Sequence, residues 1–363
     1  MTTSSSKYEY DLAYYLSSYV PVKLFTMQLP VGQTESQGNV VLIGCKDPQA
    51  GNDPKKKQRA LYRTVQTHRT ESPVLVFWGY DAIAVKTMLR VKKSLGIPVI
   101  SFIFDSHKPA VSVFNMLIRV RLNLRFARGM RLTRRLDGYI FFQEAAARRV
   151  SVKQKPYLVI KPGVRQTESL YIAGKPTFTV TYCGTFSRLN GTDALLDSLR
   201  YLRDKHIEIR VCGYGPLQGA VKQAAEEYPF FHYDGMLNDQ ELTALYEKSD
   251  LLLNLRRLDD EAMDYAFPSK TFEYVSTGVP MLTTAVLKDP SFLEYAYILD
   301  RVNGEQVARQ IQAAYDDRLN GAERASRLKQ YIEKEYSFEA IAARVYEFLK
   351  TIQSGSNNRT ERT

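Results

Sequence analysis

Short β-rich runs alternate with segments of helical period along this chain, and that alternation leaves few architectures open. In the first half, "PVKLFTM", "NVVLIGC", "PVLVFWG", "IPVISFIFD", "GYIFF" and "PYLVIKPGV" read as strands. Tyr8–Leu16, "DAIAVKTMLRVKKSLG" and Val111–Leu136 read as helices between them, and "DPKKKQRALYRTVQTH" as a basic loop entering a helix. In the second half, "TFTVTYCG", "IEIRVCGYG", "PFFHYDG", "DLLLNLR" and "PMLTT" read as strands. Helices are expected at Thr192–Asp204, Leu217–Glu227, Asp239–Lys248, Ser269–Ser276, Glu305–Asp317 and Phe338–Ile352. The polar stretch Lys161–Thr177, with scattered Gly and Pro, reads as a linker. A chain of 363 residues favours two domains over one. The expected fold is therefore α/β, with two tandem doubly wound domains facing a cleft, and ligands outside the C-terminal strand ends at the switch point. A domain of this type ordinarily opens with a strand; here a helical period comes first.

Composition removes several classes. Hydrophobic residues make up 44% and charged residues 25%, enough to bury a core and stay dissolved. No segment approaches the ~18–20 uninterrupted apolar residues of a membrane span. The opening "MTTSSSKYEYDLAYYL" lacks the charged and apolar regions of a secretory signal, so a cytoplasmic location is expected. The cysteines Cys45, Cys183 and Cys212 have no metal-ligand spacing and read as reduced core thiols; no metal and no cofactor are expected. The Asn-Arg-Thr near the C-terminus reads as chance. Formal net charge is +11, which suits phosphate-bearing small molecules, nucleic acid or an anionic membrane surface.

The stretch "FPSKTFEYVSTGVPMLTT", Phe267–Thr284, carries the most chemistry. Pro268 suits helix entry, where its missing N–H is not needed. The free N–H groups from Ser269 onward form a natural anion site, and Lys270 adds a full positive charge. Glu273 follows one turn later. A carboxylate there repels phosphate but accepts two hydrogen bonds from a ribose diol. Phosphate and diol about one helical turn apart describe a nucleoside diphosphate; the plainer alternative is an amphipathic helix with a solvated glutamate. "IEIRVCGYGPLQGAV" offers strand, Gly-x-Gly, helix, but Gln218 stands where a dinucleotide fingerprint needs Gly or Ala, and Pro216 stiffens the turn.

In order, "YCGTFSRLNGTDALLDSLRYL", "IEIRVCGYGP", "HYDGMLNDQELTALYEKSDLLLNL" and "FPSKTFEYVSTGVPML" resemble the donor-binding domain of GT-B glycosyltransferases, most closely glycosyltransferase family 4. The resemblance is strong over 178–284. "YSFEAIAARVYEFL" looks like that family's closing helix, which crosses back to the first domain. The resemblance implies an acceptor-binding Rossmann-like domain at 1–165, a donor-binding one at 166–335, the crossing helix at 336–352 and a disordered tail at 353–363. It implies transfer of a sugar from a nucleotide-sugar to a glycan or lipid-linked acceptor, with retention, in polysaccharide or glycoconjugate synthesis. Carried over by position, Glu273 is the ribose-binding glutamate, and Ser269, Lys270 and Thr271 lie where the diphosphate is met. Gly213 and Gly215 form the turn under the nucleotide, Met236 after Gly235 lies where main-chain groups read the base, and Gly184 and Thr185 open the loop facing the phosphates.

Two departures matter. The family's first glutamate would fall at Tyr265, and its basic phosphate clamp near Thr185 and Asn190. A leaving diphosphate needs compensating cations or aligned donors, and one such contact is worth ~3 kcal/mol. Arg188, Arg256, Arg257 and Lys270 are the candidates, with a solvated strand-end pair as the alternative for Arg256 and Arg257. In "SFIFDSHKP", Asp105 and His107 follow a strand end; a histidine in the corresponding place in the family often contacts sugar or acceptor, and the alternative is that the two cap the next element. Asp105, His107, Arg188 and Lys270 are the expected catalytic groups. No covalent nucleophile is expected.

"VSVFNMLIRVRLNLRFARGMRLTRRL" carries Arg119, Arg121, Arg125, Arg128, Arg131, Arg134 and Arg135 with no acid, interleaved with Val113, Leu117, Val120 and Leu124. An apolar stripe flanked by arginines fits an interfacial helix on anionic lipid, each cation adding about 1 kcal/mol. The alternative is a core-packed helix with a basic polar face. Nucleic acid is not expected, because no binding motif or interleaved aromatics accompany the charge. Two competing functions stay open: a nucleotide-sugar epimerase of similar build, and a non-catalytic nucleotide-sugar or glycan-binding protein of the same fold.

Overall fold

The computed structural model describes residues 4–51, 53–68, 73–103, 116–150, 152, 154–172, 174–203, 206–258 and 269–360. It divides into two units. The first takes in Met1–Gly163 and Phe338–Thr363; the second is formed by the described residues between Val164 and Ser337.

The first unit holds two sheets. Strands β1 (Val22–Pro30), β2 (Thr34–Gln37) and β3 (Val40–Lys46) form one, with β1 parallel and β2 antiparallel to β3. Strands β4 (Leu75–Trp78), β5 (Val99–Ile103), β6 (Gly138–Phe141) and β7 (Tyr157–Val159) form a parallel sheet in that order. The helices are α1 (Ser4–Leu16), α2 (Pro54–Thr67), α3 (Ala82–Leu95), α4 (Met116–Thr133), α5 (Glu144–Val150) and, from the far end of the chain, α13 (Phe338–Thr360). Helix α3 shows why these boundaries fall where they do. Asp81 accepts from the Ile83 and Ala84 N–H groups, satisfying donors left over in the first turn, and Gly96 ends the helix in the left-handed region. Helices α1 and α13 share one core with the parallel sheet, where Leu12, Leu16, Phe338, Ile341, Val345 and Ile352 meet Ile100, Phe102 and Ile140.

The second unit is built on a six-stranded parallel sheet: β8 (Phe178–Thr185), β9 (Ile207–Tyr214), β10 (Phe231–Tyr233), β11 (Leu251–Asn254), β12 (Met281–Thr283) and β13 (Tyr297–Ile298). Its order is β10-β9-β8-β11-β12-β13, so the direction of winding reverses between β8 and β11. Helices α6 (Thr192–Ser198), α7 (Gln218–Glu227), α8 (Asp239–Lys248), α9 (Ser269–Thr277), α10 (Pro290–Tyr295), α11 (Gly304–Asp316) and α12 (Arg318–Tyr336) cover it. Strand β8 alternates along "FTVTYC". Phe178, Val180 and Tyr182 enter a core with Leu195, Val221 and Ile311, while Thr181 on the other face shares a hydrogen bond with Ser249 at 2.6 Å.

The structure departs from the sequence reading in several places. Short elements β2, α5, α10 and β13 and the long helix α12 were not expected. Helix α12 has Gly321 inside it and a charged surface, so its period is weak; Ala325, Leu328 and Ile332 make it helical by burying one face. Helix α13 runs to Thr360 rather than ending near 352 before a disordered tail, since each added residue of an established helix gains one backbone bond. Residues 111–115 of the expected basic helix lie outside the described residues, and α4 ends at Thr133 rather than Leu136.

Candidate functional site

The site is built around α9. Its inward side chains, Thr271, Phe272, Tyr274 and Val275, are buried. Phe272 meets the Tyr336 ring of α12 edge-on at 5.6 Å, and the Asn254 amide at the end of β11 donates to Thr271 Oγ1 at 3.0 Å. With that face committed, Lys270 and Glu273 stand together on the outer face, three residues apart. Lys270 Nζ lies 3.8 Å from Glu273 Oε2 and 5.5 Å from the centre of the Tyr274 ring. The aliphatic stem of Lys270 runs over Gly184, so the cation stands above the end of β8.

Glu273 has a second partner. The Tyr246 hydroxyl of α8 donates to its Oε1 at 2.8 Å. The Tyr246 ring meets Tyr274 edge-on at 5.7 Å. The Tyr274 hydroxyl donates to the Cys183 carbonyl at 3.0 Å and accepts from the Cys183 N–H at 3.3 Å. Burial pushes both phenols well above the ordinary tyrosine range, so they remain protonated donors.

The glycine turns lie at the ends of β8 and β9. Gly184 pairs with Gly213 in register, just as Cys183 pairs with Cys212 one step earlier. The Phe186 N–H donates to the Tyr214 carbonyl at 2.8 Å, and the Leu217 N–H to the Phe186 carbonyl at 3.0 Å, which ties the two turns together. A methyl group on Gly215 would stand 2.5 Å from the Phe186 carbonyl oxygen, so that turn admits only glycine at this approach. The Gly213 N–H donates to the Gly235 carbonyl at 2.8 Å, bringing the loop with Met236 beside the same turn. Met236 and Tyr214 are 65% and 60% exposed there.

The cations sort by geometry. Arg257 is committed to the scaffold: it donates to the carbonyls of Arg188 (2.9 Å) and Val302 (2.7 Å) and pairs with Asp193 at 2.8 Å. Arg256 is half-buried and donates to Asn190 Oδ1 at 3.2 Å, while the Asn190 amide donates to the Thr185 carbonyl at 3.0 Å. Arg256 thus reaches Asn190, one of the two positions that lack a basic residue, and Asn190 in turn is bonded to the other, Thr185. Arg188 is exposed on the same loop.

Gly184, Thr185, Arg188, Gly213, Gly215, Met236, Arg256, Lys270 and Glu273 therefore belong to the C-terminal edge of one sheet, around its reversal. Thr271 is turned away, its hydroxyl held by Asn254, so only its backbone belongs to the helix entrance. Asp105, His107, Tyr265 and Pro268, and the side chain of Ser269, lie outside the described residues. Among the described residues no group of three or more His, Cys, Asp and Glu side chains could hold a metal ion. Tyr246, Tyr274 and Tyr214 carry no signal in the sequence that separates them from ordinary core or surface tyrosines; each is identified only by what it touches or by its exposure.

Residues 192–347 match the family described as Glycosyl transferase-like. Among solved structures, the chain is similar to the sucrose-phosphate synthase of Thermosynechococcus elongatus, with a TM-score of 0.70 at 13% identity over 98% of this chain and 94% of that one. It is similar to a UDP-forming α,α-trehalose-phosphate synthase of Burkholderia vietnamiensis, with a TM-score of 0.68 at 10% identity over 95% and 96%. It is also similar to Anabaena HepE in complex with UDP, with a TM-score of 0.65 at 13% identity over 97% and 98%. No curated protein sequence matches it.

Proposed function

We propose that this chain is a nucleotide-sugar-dependent glycosyltransferase of GT-B type, whose second unit holds a nucleoside diphosphate-sugar and passes the sugar, with retention, to a glycan or lipid-linked acceptor. In this reading the ribose diol rests on Glu273 and the diphosphate on the first turn of α9. One observation carries it: Lys270 and Glu273 project together from the exposed side of α9, with the Lys270 stem over Gly184 near the end of β8. A cation and free backbone donors meet the phosphates, and an anion one turn on meets the hydroxyls. Exposed Tyr214 and Met236 flank the glycine turn where the base would lie. HepE has been solved with UDP-glucose as well as UDP, which makes UDP-hexoses the first donors to try.

The chemistry asked of the protein is stabilisation of the departing diphosphate. Lys270, the α9 N–H groups and Arg256 supply it, with Arg188 beside them, and Arg256 replaces the clamp through Asn190. The acceptor attacks from the leaving-group face and the phosphate takes its proton, so no protein nucleophile is used.

The first unit is proposed to bind the acceptor and to meet an anionic membrane surface through α4. The second half of that helix is anchored by Met130 and Thr133 in the core, with Phe126 against Tyr80. Among the described side chains of its first half, Met116 and Leu124 are 77% and 66% exposed, and Ile118 and Val120 are exposed on the same basic helix as Arg121 and Arg128. A basic helix with exposed apolar side chains fits peripheral contact with anionic lipid. Among the described residues no helix is long and apolar enough to cross a membrane.

The competing reading, a non-catalytic binder of nucleotide-sugars, draws on Tyr265 in the place of the family's first glutamate. Release of nucleoside diphosphate from UDP-, GDP- and ADP-hexoses in the presence of acceptor separates the two. Acceptor-dependent release that Lys270→Ala abolishes supports the transferase; donor binding without any release supports the binder.

A further inference from the structure

Glu273 can read a diol only if its carboxylate plane is set. The terminal torsion of a glutamate is broad and nearly two-fold, and an outward position on a helix does nothing to narrow it. Among the described residues a single side chain narrows it, the Tyr246 phenol, which donates to Oε1 at 2.8 Å. Lys270 at 3.8 Å from Oε2 is too distant for a hydrogen bond.

The phenol is itself held. Tyr246 is 4% exposed, its ring lies edge-on to Tyr274 at 5.7 Å, and Tyr274 is fixed at both lone pair and proton by the Cys183 backbone of β8. A rigid path thus runs from the central strand, through two tyrosine rings, to one carboxylate oxygen. We propose that Tyr246 is a positioning residue that sets the Glu273 carboxylate for a vicinal diol, so that preference for ribonucleotides over deoxyribonucleotides depends on a hydroxyl that never touches the ligand. A carboxylate offers about four lone-pair sites; Tyr246 occupies one and leaves the others directed outward for two sugar hydroxyls. The inference rests on the assignment of the ribose to Glu273.

The test is calorimetric binding of UDP, 2′-deoxy-UDP and 3′-deoxy-UDP to the full chain and to Tyr246→Phe, Glu273→Ala and the double variant. The wild type should prefer UDP, and Glu273→Ala should erase that preference. Tyr246→Phe keeps the ring and should weaken UDP about tenfold, the scale of a lost hydrogen bond to a charged group. It should leave the deoxy analogues unchanged, which also controls for folding, and it should add nothing in the Glu273→Ala background. Equal weakening of all three ligands by Tyr246→Phe, or no weakening of UDP, while Glu273→Ala still erases the preference, overturns the positioning role and spares the ribose assignment. A preference that survives Glu273→Ala, or a wild type that binds none of the three, overturns the assignment and the inference with it.

Discussion

Gly213 faces Gly184 across the β8–β9 pair so closely that a methyl group on Gly213 would overlap the Gly184 carbonyl oxygen. Both groups are backbone at the ends of central strands, and φ of Gly213 is +132°, a region that side chains rarely adopt. Gly213→Ala is expected to destabilise the second unit by about 2–4 kcal/mol through overlap and backbone strain. Thermal unfolding checks this. An unchanged melting temperature would show that the strand ends separate freely.

Arg256 and Arg257 are neighbours with opposite expected behaviour. Arg257→Ala removes an ion pair with Asp193 and two carbonyl contacts, and should cost about 1–3 kcal/mol of stability. Arg256→Ala should lower the melting temperature less than Arg257→Ala does and lower kcat/KM about a hundredfold, the loss of one leaving-group contact. Steady-state rates and melting curves on both variants decide the matter, and the assignment fails if the two effects are exchanged.

Glu9 gives the first unit a pH dependence. Burial pushes its carboxyl from 4.5 up to about 7. The folded chain therefore holds this proton more tightly than the unfolded chain does. The stability associated with it is complete below about pH 4.5 and declines as pH rises to about 7. Glu9→Gln should melt a few degrees higher than wild type at about pH 8 and together with it at about pH 5, where the protonated acid and the amide are alike. Melting curves that differ equally at both pH values would refute this.

The first half of α4, with its exposed Met116 and Leu124, should bind anionic lipid through both charge and apolar contact. Leu124→Glu combined with Ile118→Glu is expected to reduce sedimentation with vesicles of phosphatidylglycerol and phosphatidylcholine several-fold, and binding should also fall as salt rises. Wild-type protein that fails to sediment with such vesicles at low salt would remove the membrane from the account.

Much of the second unit was legible in one dimension. All of its strands but β13 and most of its helices follow from period, and Lys270 and Glu273 from their spacing on one short helix. Helix α12 was not legible, because its charged surface and internal Gly321 hide a helix that exists through packing against α9 and α10. The role of Tyr246 was hidden for a different reason. Twenty-seven residues separate it from Glu273, and no local pattern connects them.

The order of amino acids alone determined the period of most elements, the parallel α/β class, and the helix that would carry a cation and a carboxylate one turn apart. These follow from local geometry, where side chains three residues apart on a helix must share a face. Only the tertiary structure separated the two arginines, since Arg257 is spent on Asp193 and Val302 while its neighbour reaches Asn190. It likewise decided which tyrosine meets Glu273. Those outcomes depend on which distant segments share the same space, and burial and hydrogen bonding set that only when the whole unit has packed.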